Sequence, residues 1–244
     1  MGELLFPGKQ WPTTLNLFPW SELDSRNPID YHVHTDFTDG SASIKEMAEA
    51  AYKVGIREVL FSEHVRNTSS YFPGFVAQVK TLSIDGFKAY VGAEAKIVSS
   101  DGTLDCTQDV AFICNAIIGS VHRPPNDQNK EPQKWSSMSL EKAIELEYQL
   151  SMAIIKRSRA HILGHPMGMT FIHFGITPIR QLERLANACR VYDKAFELNS
   201  RYCSDTKIWI DIVKHAECKI SCGSDAHNTS TVGSAWDSFI TKGK

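Results

Sequence analysis

The chain has 244 residues, is 42% hydrophobic and carries a formal net charge of −2. That length and apolar content suit one α/β barrel or at most two small domains. The balance lacks the basic footprint of a duplex-DNA binder, so no stable duplex nucleic-acid binding is expected and an anionic substrate must be attracted locally, by something such as bound cations. The six cysteines, Cys106, Cys114, Cys189, Cys203, Cys218 and Cys222, form no CxxC pair. They read as free thiols of a reducing compartment, which points to a cytoplasmic protein. No basic segment followed by a long apolar run opens the chain, and no stretch approaches ~18 apolar residues, so neither a leader nor a membrane span is expected.

Residues 1–28 hold Pro7, Trp11, Pro12, Pro19, Trp20 and Pro28 without helical or strand periodicity. They are expected to form an arm that lays its aromatics on the outside of a barrel domain spanning 29–244. From residue 29 short β-branched apolar runs alternate with helical patterns, the rhythm of βα units around a parallel sheet. Strands are expected at about 29–34, 58–63, 89–93, 116–121, 161–164, 195–198 and 219–223. Three helices are expected at 44–54 (capped by Ser43 and stopped at Gly55), 140–157 (capped by Ser139) and 178–192 (capped by Thr177). A fourth runs from after Ser204 to about Glu217.

The first strand ends in His32-Val33-His34. Residues i and i+2 of a strand share a face, so the two imidazoles form a candidate chelate; a helix would set them about 200° apart. The later strands repeat the theme. A His, Asp or Glu lies at or just past the C-terminal end of six of the seven, and the sixth offers Glu197 and Asn199. That end is where βα loops converge and parallel barrels place their chemistry. The rim set is His32, His34, Asp39, His64, Glu94, His122, His165, Asp225 and His227. One ion takes three or four such ligands, so nine suggest two or three metals, with Glu94 the natural bridge. His161, His173 and His215 fall at a strand start, in a loop and late in a helix, and read as ordinary structural histidines.

The pieces His32-Val-His34-Thr with Asp39-Gly40, Ser62-Glu63-His64, Gly92-Ala-Glu94, Ser120-Val-His122, Gly164-His165-Pro166, Glu197-Leu-Asn199 and Gly223-Ser-Asp225-Ala-His227 occur in that order. In this the chain resembles the PHP (polymerase and histidinol phosphatase) family over residues 29–228. The resemblance implies a distorted seven-stranded (β/α)7 TIM-like α/β barrel with a two- or three-metal site. Carried over by position, His32, His34, Glu94 and Asp225 would hold one ion, Glu94, His122 and His165 a second, and Asp39, His64 and His227 a third. Nitrogen and oxygen donors without thiolate admit Zn, Mn, Fe, Co or Ni. Many histidinol-phosphatase-like members carry histidine where Asp39 stands; the form seen here also occurs in PHP parts of family-X DNA polymerases.

The expected activity is metal-dependent phosphoesterase chemistry on a small phosphorylated metabolite. A metal-bridged hydroxide would attack phosphorus in line, and Asp39, His64 or His227, or a water they hold, would protonate the leaving oxygen. Phosphate-gripping candidates are Arg123 first and Arg201 second, then Lys96 and Arg66, with Asn199 beside them. The Pro-rich segment 122–135 follows a ligand strand and is expected to overhang the site as a lid. A phosphodiesterase or 3′–5′ exonuclease on nucleotides is the alternative. An amidohydrolase-like deaminase also begins with HxH, but typically uses a strand-four lysine where this chain has His122.

Overall fold

The structure is a computed structural model that describes residues 13–23, 25–125 and 134–242, and the backbone of residues 4–5. Seven strands run parallel: β1 (Ile29–Val33), β2 (Glu58–Val65), β3 (Lys88–Lys96), β4 (Ala116–Ser120), β5 (Ile162–Leu163), β6 (Ala195–Asn199) and β7 (Lys219–Gly223). Each pairs with its neighbour in sequence, in the order β7-β6-β5-β4-β3-β2-β1. The helices between them include α1 (Ile44–Lys53), α2 (Phe72–Thr81), α3 (Gln108–Ile113), α4 (Leu140–Arg157), α5 (Gly168–Phe174), α6 (Ile179–Val191) and α7 (Thr206–Ala216).

The sheet curls until its two ends meet, and they are bridged at the C-terminal rim. Val33 forms a parallel bridge with Ala226; His34 N–H donates to the Ala226 carbonyl at 2.9 Å, and Ala226 N–H to that of His32 at 3.4 Å. At the other end β7 takes a different partner. Phe18–Pro19 pairs antiparallel with it, through Pro19↔Lys219 and Phe18↔Ile220. The arm thus contributes an eighth strand, which the sequence pattern does not reveal because two residues are too few to show a period. Proline is tolerated there because the strand lies at an edge. Leu4–Leu5 also pairs antiparallel with Leu104–Thr107. Leu15 is buried and Trp20 packs on the core; Pro7, Trp11 and Pro12 lie outside the described residues.

Local chemistry explains most of the element ends. α1 opens with a capping box, in which Ser43 Oγ accepts from Glu46 N–H and Glu46 Oε2 accepts from Ser43 N–H. Gly55 then takes φ +95, a left-handed conformation that glycine adopts without steric cost. α4 begins where Ser139 predicts it. α6 differs: Thr177 does not cap it. Its hydroxyl lies 3.1 Å from Ser204 Oγ instead, and Pro178 occupies the N-cap position. His173 falls in the last turn of α5 rather than in a loop. α2 is absent from the sequence reading because Pro73 and Gly74 look like a turn; proline in a first turn is harmless, and the helix is held by burying Phe72, Phe75, Val76 and Val79.

The end of the sheet away from the ligand rim is pinned by Glu58. Its buried carboxylate accepts from Tyr31 Oη (2.7 Å), Asn27 Nδ2 (3.0 Å), Lys88 Nζ (3.0 Å) and Tyr90 Oη (3.2 Å). This ties β1, β2 and β3 together at their starts. Beyond β7, Phe239 is fully buried against Trp209 of α7, with ring centroids 6.4 Å apart.

Candidate metal centre

All nine rim residues converge at one end of the sheet. His32 and His34 Nε2 lie 3.1 Å apart. Both stand 3.5 Å from Glu94 Oε2, and Asp225 Oδ1 lies 3.2 Å from His34 Nε2 and 3.6 Å from His32 Nε2. Ligands on an ion at ~2.0–2.1 Å in tetrahedral array stand about 3.3 Å from one another. The separations among His32, His34 and Glu94 are close to that value, and those from Asp225 to the two imidazoles are too. The other oxygen of Glu94 faces elsewhere: Oε1 lies 3.0 Å from both His122 Nε2 and His165 Nε2, which are 3.2 Å apart. At the mouth, Asp39 spans two imidazoles, with Oδ2 3.3 Å from His64 Nε2 and Oδ1 3.4 Å from His227 Nε2.

Some of these contacts are ordinary hydrogen-bond separations, as between His165 Nε2 and Glu94 Oε1 at 3.0 Å, but the set also holds unpaired atoms. His34 Nδ1, His165 Nδ1 and Glu94 Oε2 are buried without a hydrogen-bond partner among the described residues. Glu94 Oε2 approaches His64 Nδ1 to 2.8 Å, yet in a geometry that makes no hydrogen bond. Buried polar atoms left unpaired are costly, and an ion is one way to satisfy them. Burial alone would raise the Glu94 carboxyl, but the surrounding imidazoles, His122 and His32 first, hold it well below the usual carboxylate range. Burial lowers His34 to about 4, helped by the neighbouring His32. His32 goes the other way: burial works against its charge, but Glu197, Glu94 and Asp225 raise it well above the ordinary range.

A second tier of buried carboxylates orients this set. Glu197 Oε1 accepts from His32 Nδ1 at 2.6 Å, while its Oε2 accepts from the His165 backbone N–H at 2.5 Å. Glu63 accepts from Thr35 N–H, Thr35 Oγ1 and Thr38 Oγ1, the turn that delivers Asp39. Burial pushes the Glu63 carboxyl up to about 7. Asp30 accepts from Ser224 N–H (2.9 Å), Ser224 Oγ (2.6 Å) and Gly233 N–H (2.7 Å), bracing the loop that carries Asp225. Glu147 of α4 accepts from Met169 N–H, Thr170 N–H and Thr170 Oγ1, holding the start of α5 just after His165. The sequence pattern singles out Glu63 only as part of a motif and Glu197 also as what the sixth strand offers at the rim, neither as an orienting group. Their signal is the acidic side chain inside an apolar strand, which must find donors.

Arg66, Lys96, Arg123 and Arg201 all line a cavity of about 440 Å³ over the nine-residue cluster. Asn199, expected beside the substrate, does not. It is fully buried, its Oδ1 accepting from Arg201 N–H and its Nδ2 donating to Glu197, because the end of β6 turns it inward. Of the expected lid, residues 126–133 lie outside the described residues; its far end is anchored by Trp135 Nε1, which donates to the His122 carbonyl at 2.9 Å. The three remaining histidines stay outside the cluster: His161 Nδ1 accepts from Ile117 N–H, and His215 Nδ1 donates to the Asp211 carbonyl.

A sequence profile described as PHP domain matches residues 30–201. The chain belongs to the PHP domain family. A probable phosphatase of Enterobacter sp. (strain 638) is 23% identical over 221 residues, spanning 84% of this chain and 81% of that protein. The DNA polymerase/3′-5′ exonuclease PolX of Bacillus subtilis (strain 168) is 27% identical over 180 residues, 70% of this chain but 29% of the polymerase. In fold, the chain is similar to histidinol phosphate phosphatase from Lactococcus lactis, solved with zinc, L-histidinol and phosphate. That likeness has a TM-score of 0.62 at 18% identity and covers 88% of this chain and 93% of the other. This PHP protein is thus a hydrolase of the metal-dependent phosphoesterase class with an α/β, TIM-like fold. Among the described residues no helix is long and apolar enough to cross a membrane.

Proposed function

We propose that the chain is a phosphomonoesterase acting on a small phosphorylated metabolite, with the nine rim residues as its metal ligands. His32, His34, Glu94 and Asp225 would hold one divalent ion, Glu94, His122 and His165 a second, and Asp39, His64 and His227 a third. The observation that carries this reading is the split of Glu94, whose two oxygens face two separate histidine pairs at 3.0 and 3.5 Å. One carboxylate shared in this way suits a bridge between ions rather than a single-ion site.

When bound, such ions supply a water acidic enough to attack at neutral pH and countercharge for the phosphate oxygens. The chain's own residues do the rest. Asp225 Oδ2 is fully engaged by Arg201 at 3.0 Å and Tyr202 Oη at 2.8 Å, which turns Oδ1 toward His32 and His34. Arg201 remains half-exposed, so its other N–H groups are free to grip a phosphate in the cavity. His32, His34 and Glu94 are buried, which keeps bulk water off the floor and strengthens every charge interaction there. The leaving oxygen needs a proton, and Asp39, His64 and His227 at the mouth are placed to hold the water that donates it.

Turnover of p-nitrophenyl phosphate beside bis-p-nitrophenyl phosphate tests the reading. Monoester hydrolysis is expected to dominate; diester cleavage without monoester cleavage would favour the exonuclease-like alternative, for which the likeness to PolX speaks. His64→Ala and Asp225→Asn should each lower monoester turnover by at least about 10²-fold with circular dichroism unchanged.

A further inference from the structure

The cations around the cavity outnumber what one phosphate needs. Arg66 follows β2, Lys96 ends β3 and Arg123 follows β4, three adjacent strands of the sheet. All three side chains line the same cavity, supplied in order by the ends of neighbouring strands or the turns that follow them. Two of the four cavity cations already have carboxylate partners: Arg201 is held by Asp225 at 3.0 Å and Lys96 by Asp105 at 3.5 Å. Arg66 and Arg123 are exposed, and among the described residues neither has a carboxylate within ion-pair distance. Among the described residues the carboxylates that line the cavity are Asp39, Glu94 and Asp225, and all three belong to the proposed ligand set. Among the described residues none is left over to receive a cationic leaving group.

We infer that the substrate carries a second anionic group on its leaving side, a phosphate or carboxylate a few bonds from the scissile ester, received by Arg66 and Arg123 with Lys96 between them. This rests on the phosphomonoesterase reading and names its substrate class. Two guanidiniums from the ends of separate strand–loop units suit such a group because each offers a planar fork of donors. In a chain of net charge −2, this wall would also steer dianionic esters toward the floor.

Three esters of primary alcohols of similar size separate the possibilities: 3-phosphoglycerate with an anionic leaving side, glycerol 3-phosphate with a neutral one and O-phosphoethanolamine with a cationic one. With the metal-loaded protein, kcat/KM is expected to be about tenfold or more higher for 3-phosphoglycerate than for glycerol 3-phosphate, and lowest for O-phosphoethanolamine. The gap should lie mainly in KM and shrink at about 0.5 M salt, as exposed charge interactions do. Arg66→Ala and Arg123→Ala should each narrow the ratio between the first two esters. They should also weaken product inhibition by glycerate, a readout that involves no phosphoryl chemistry. Equal or reversed kcat/KM across the series, with p-nitrophenyl phosphate turned over normally, would overturn the second-anion inference alone. Failure to hydrolyse any of these esters, p-nitrophenyl phosphate included, would overturn the phosphatase reading and this inference with it.

Discussion

Glu197 touches no proposed ion, yet replacing it by glutamine should weaken metal binding. Its carboxylate faces donors on both sides: His32 Nδ1 at Oε1, and at Oε2 the His165 backbone N–H with Asn199 Nδ2 at 3.3 Å. A carboxylate accepts all three, whereas an amide has one oxygen. If the amide NH₂ takes the Oε2 position it meets two donors. If it turns toward His32, it forces that ring to carry its proton on Nε2, the nitrogen that lies 3.1 Å from His34 and 3.5 Å from Glu94. The second arrangement leaves fewer opposed donors and removes the lone pair the site needs. Loss of an outer partner of a ligating histidine typically lowers metal affinity 10–100-fold, about 1.4–2.8 kcal/mol. Competition against a coloured zinc chelator, run on wild type and Glu197→Gln with thermal melts beside it, measures this directly. A variant that folds and binds zinc as tightly as wild type would refute the argument that Glu197 sets the tautomer of His32.

Chelation should abolish ester hydrolysis, with activity returning on adding back divalent ions. The melting temperature should rise with them, since an ion at a hundred times its Kd stabilises by about 2.7 kcal/mol; a melt indifferent to metal would count against a site built into the native fold. Gly223→Ala would place a Cβ 2.2 Å from Glu197 Oε1 and 2.6 Å from His32 Cβ. Overpacking of this kind costs about 1–3 kcal/mol, so the urea midpoint and zinc affinity should fall together, and an unchanged midpoint would show that the contact relaxes freely. Lys194 is buried, donating to the Ser158 (3.1 Å) and Ala160 (2.5 Å) carbonyls, and burial lowers it to about 8. Between about pH 8 and its ordinary 10.5 the unfolded chain holds a proton that the folded chain has shed, so stability rises with pH across that window. The stability of wild type relative to Lys194→Met should therefore improve there by no more than about 3 kcal/mol; a flat difference in urea titrations would show that Lys194 keeps its proton.

How much of this was legible depended on whether a residue's role is local. Ser43 and Ser139 cap helices through atoms three residues away, and both starts are read correctly. The nine rim residues are legible for a different reason: β-strands end where the apolar run ends, and a His or carboxylate at that boundary stands out. Thr177 fails as a cap because its hydroxyl faces Ser204, 27 residues on, a contact no local pattern contains. Phe18–Pro19 is hidden because its pairing is made to β7, some 200 residues away, and involves too few residues for periodicity. Asn199 is misplaced because position alone says that it ends a strand, whereas its side chain is claimed from within by Glu197 and Arg201.

The same distinction explains why the proposed ligands are held as they are. Three residues at the rim sit in the left-handed region without being glycine: His165 at φ 27, Met167 at φ 60 and Asp225 at φ 52. Each such residue costs on the order of 1–3 kcal/mol unless its surroundings impose it. Those surroundings are the buried carboxylates. Glu197 fixes the His165 amide, Glu147 fixes the amides two and three residues past Met167, and Asp30 fixes Ser224 immediately before Asp225. Asp30 itself is pushed up to about 6 by burial despite four hydrogen bonds, so it is retained at an energetic cost. A fold selected for stability alone would place apolar side chains at these positions and relax the loops. Three buried acids that hold strained loops in place are better explained by the separations they enforce: 3.1 Å between His32 and His34, and 3.0 Å from one Glu94 oxygen to two further imidazoles. Divalent cations held by the proposed ligand set would bring further stability to these spacings, since metal binding couples to folding.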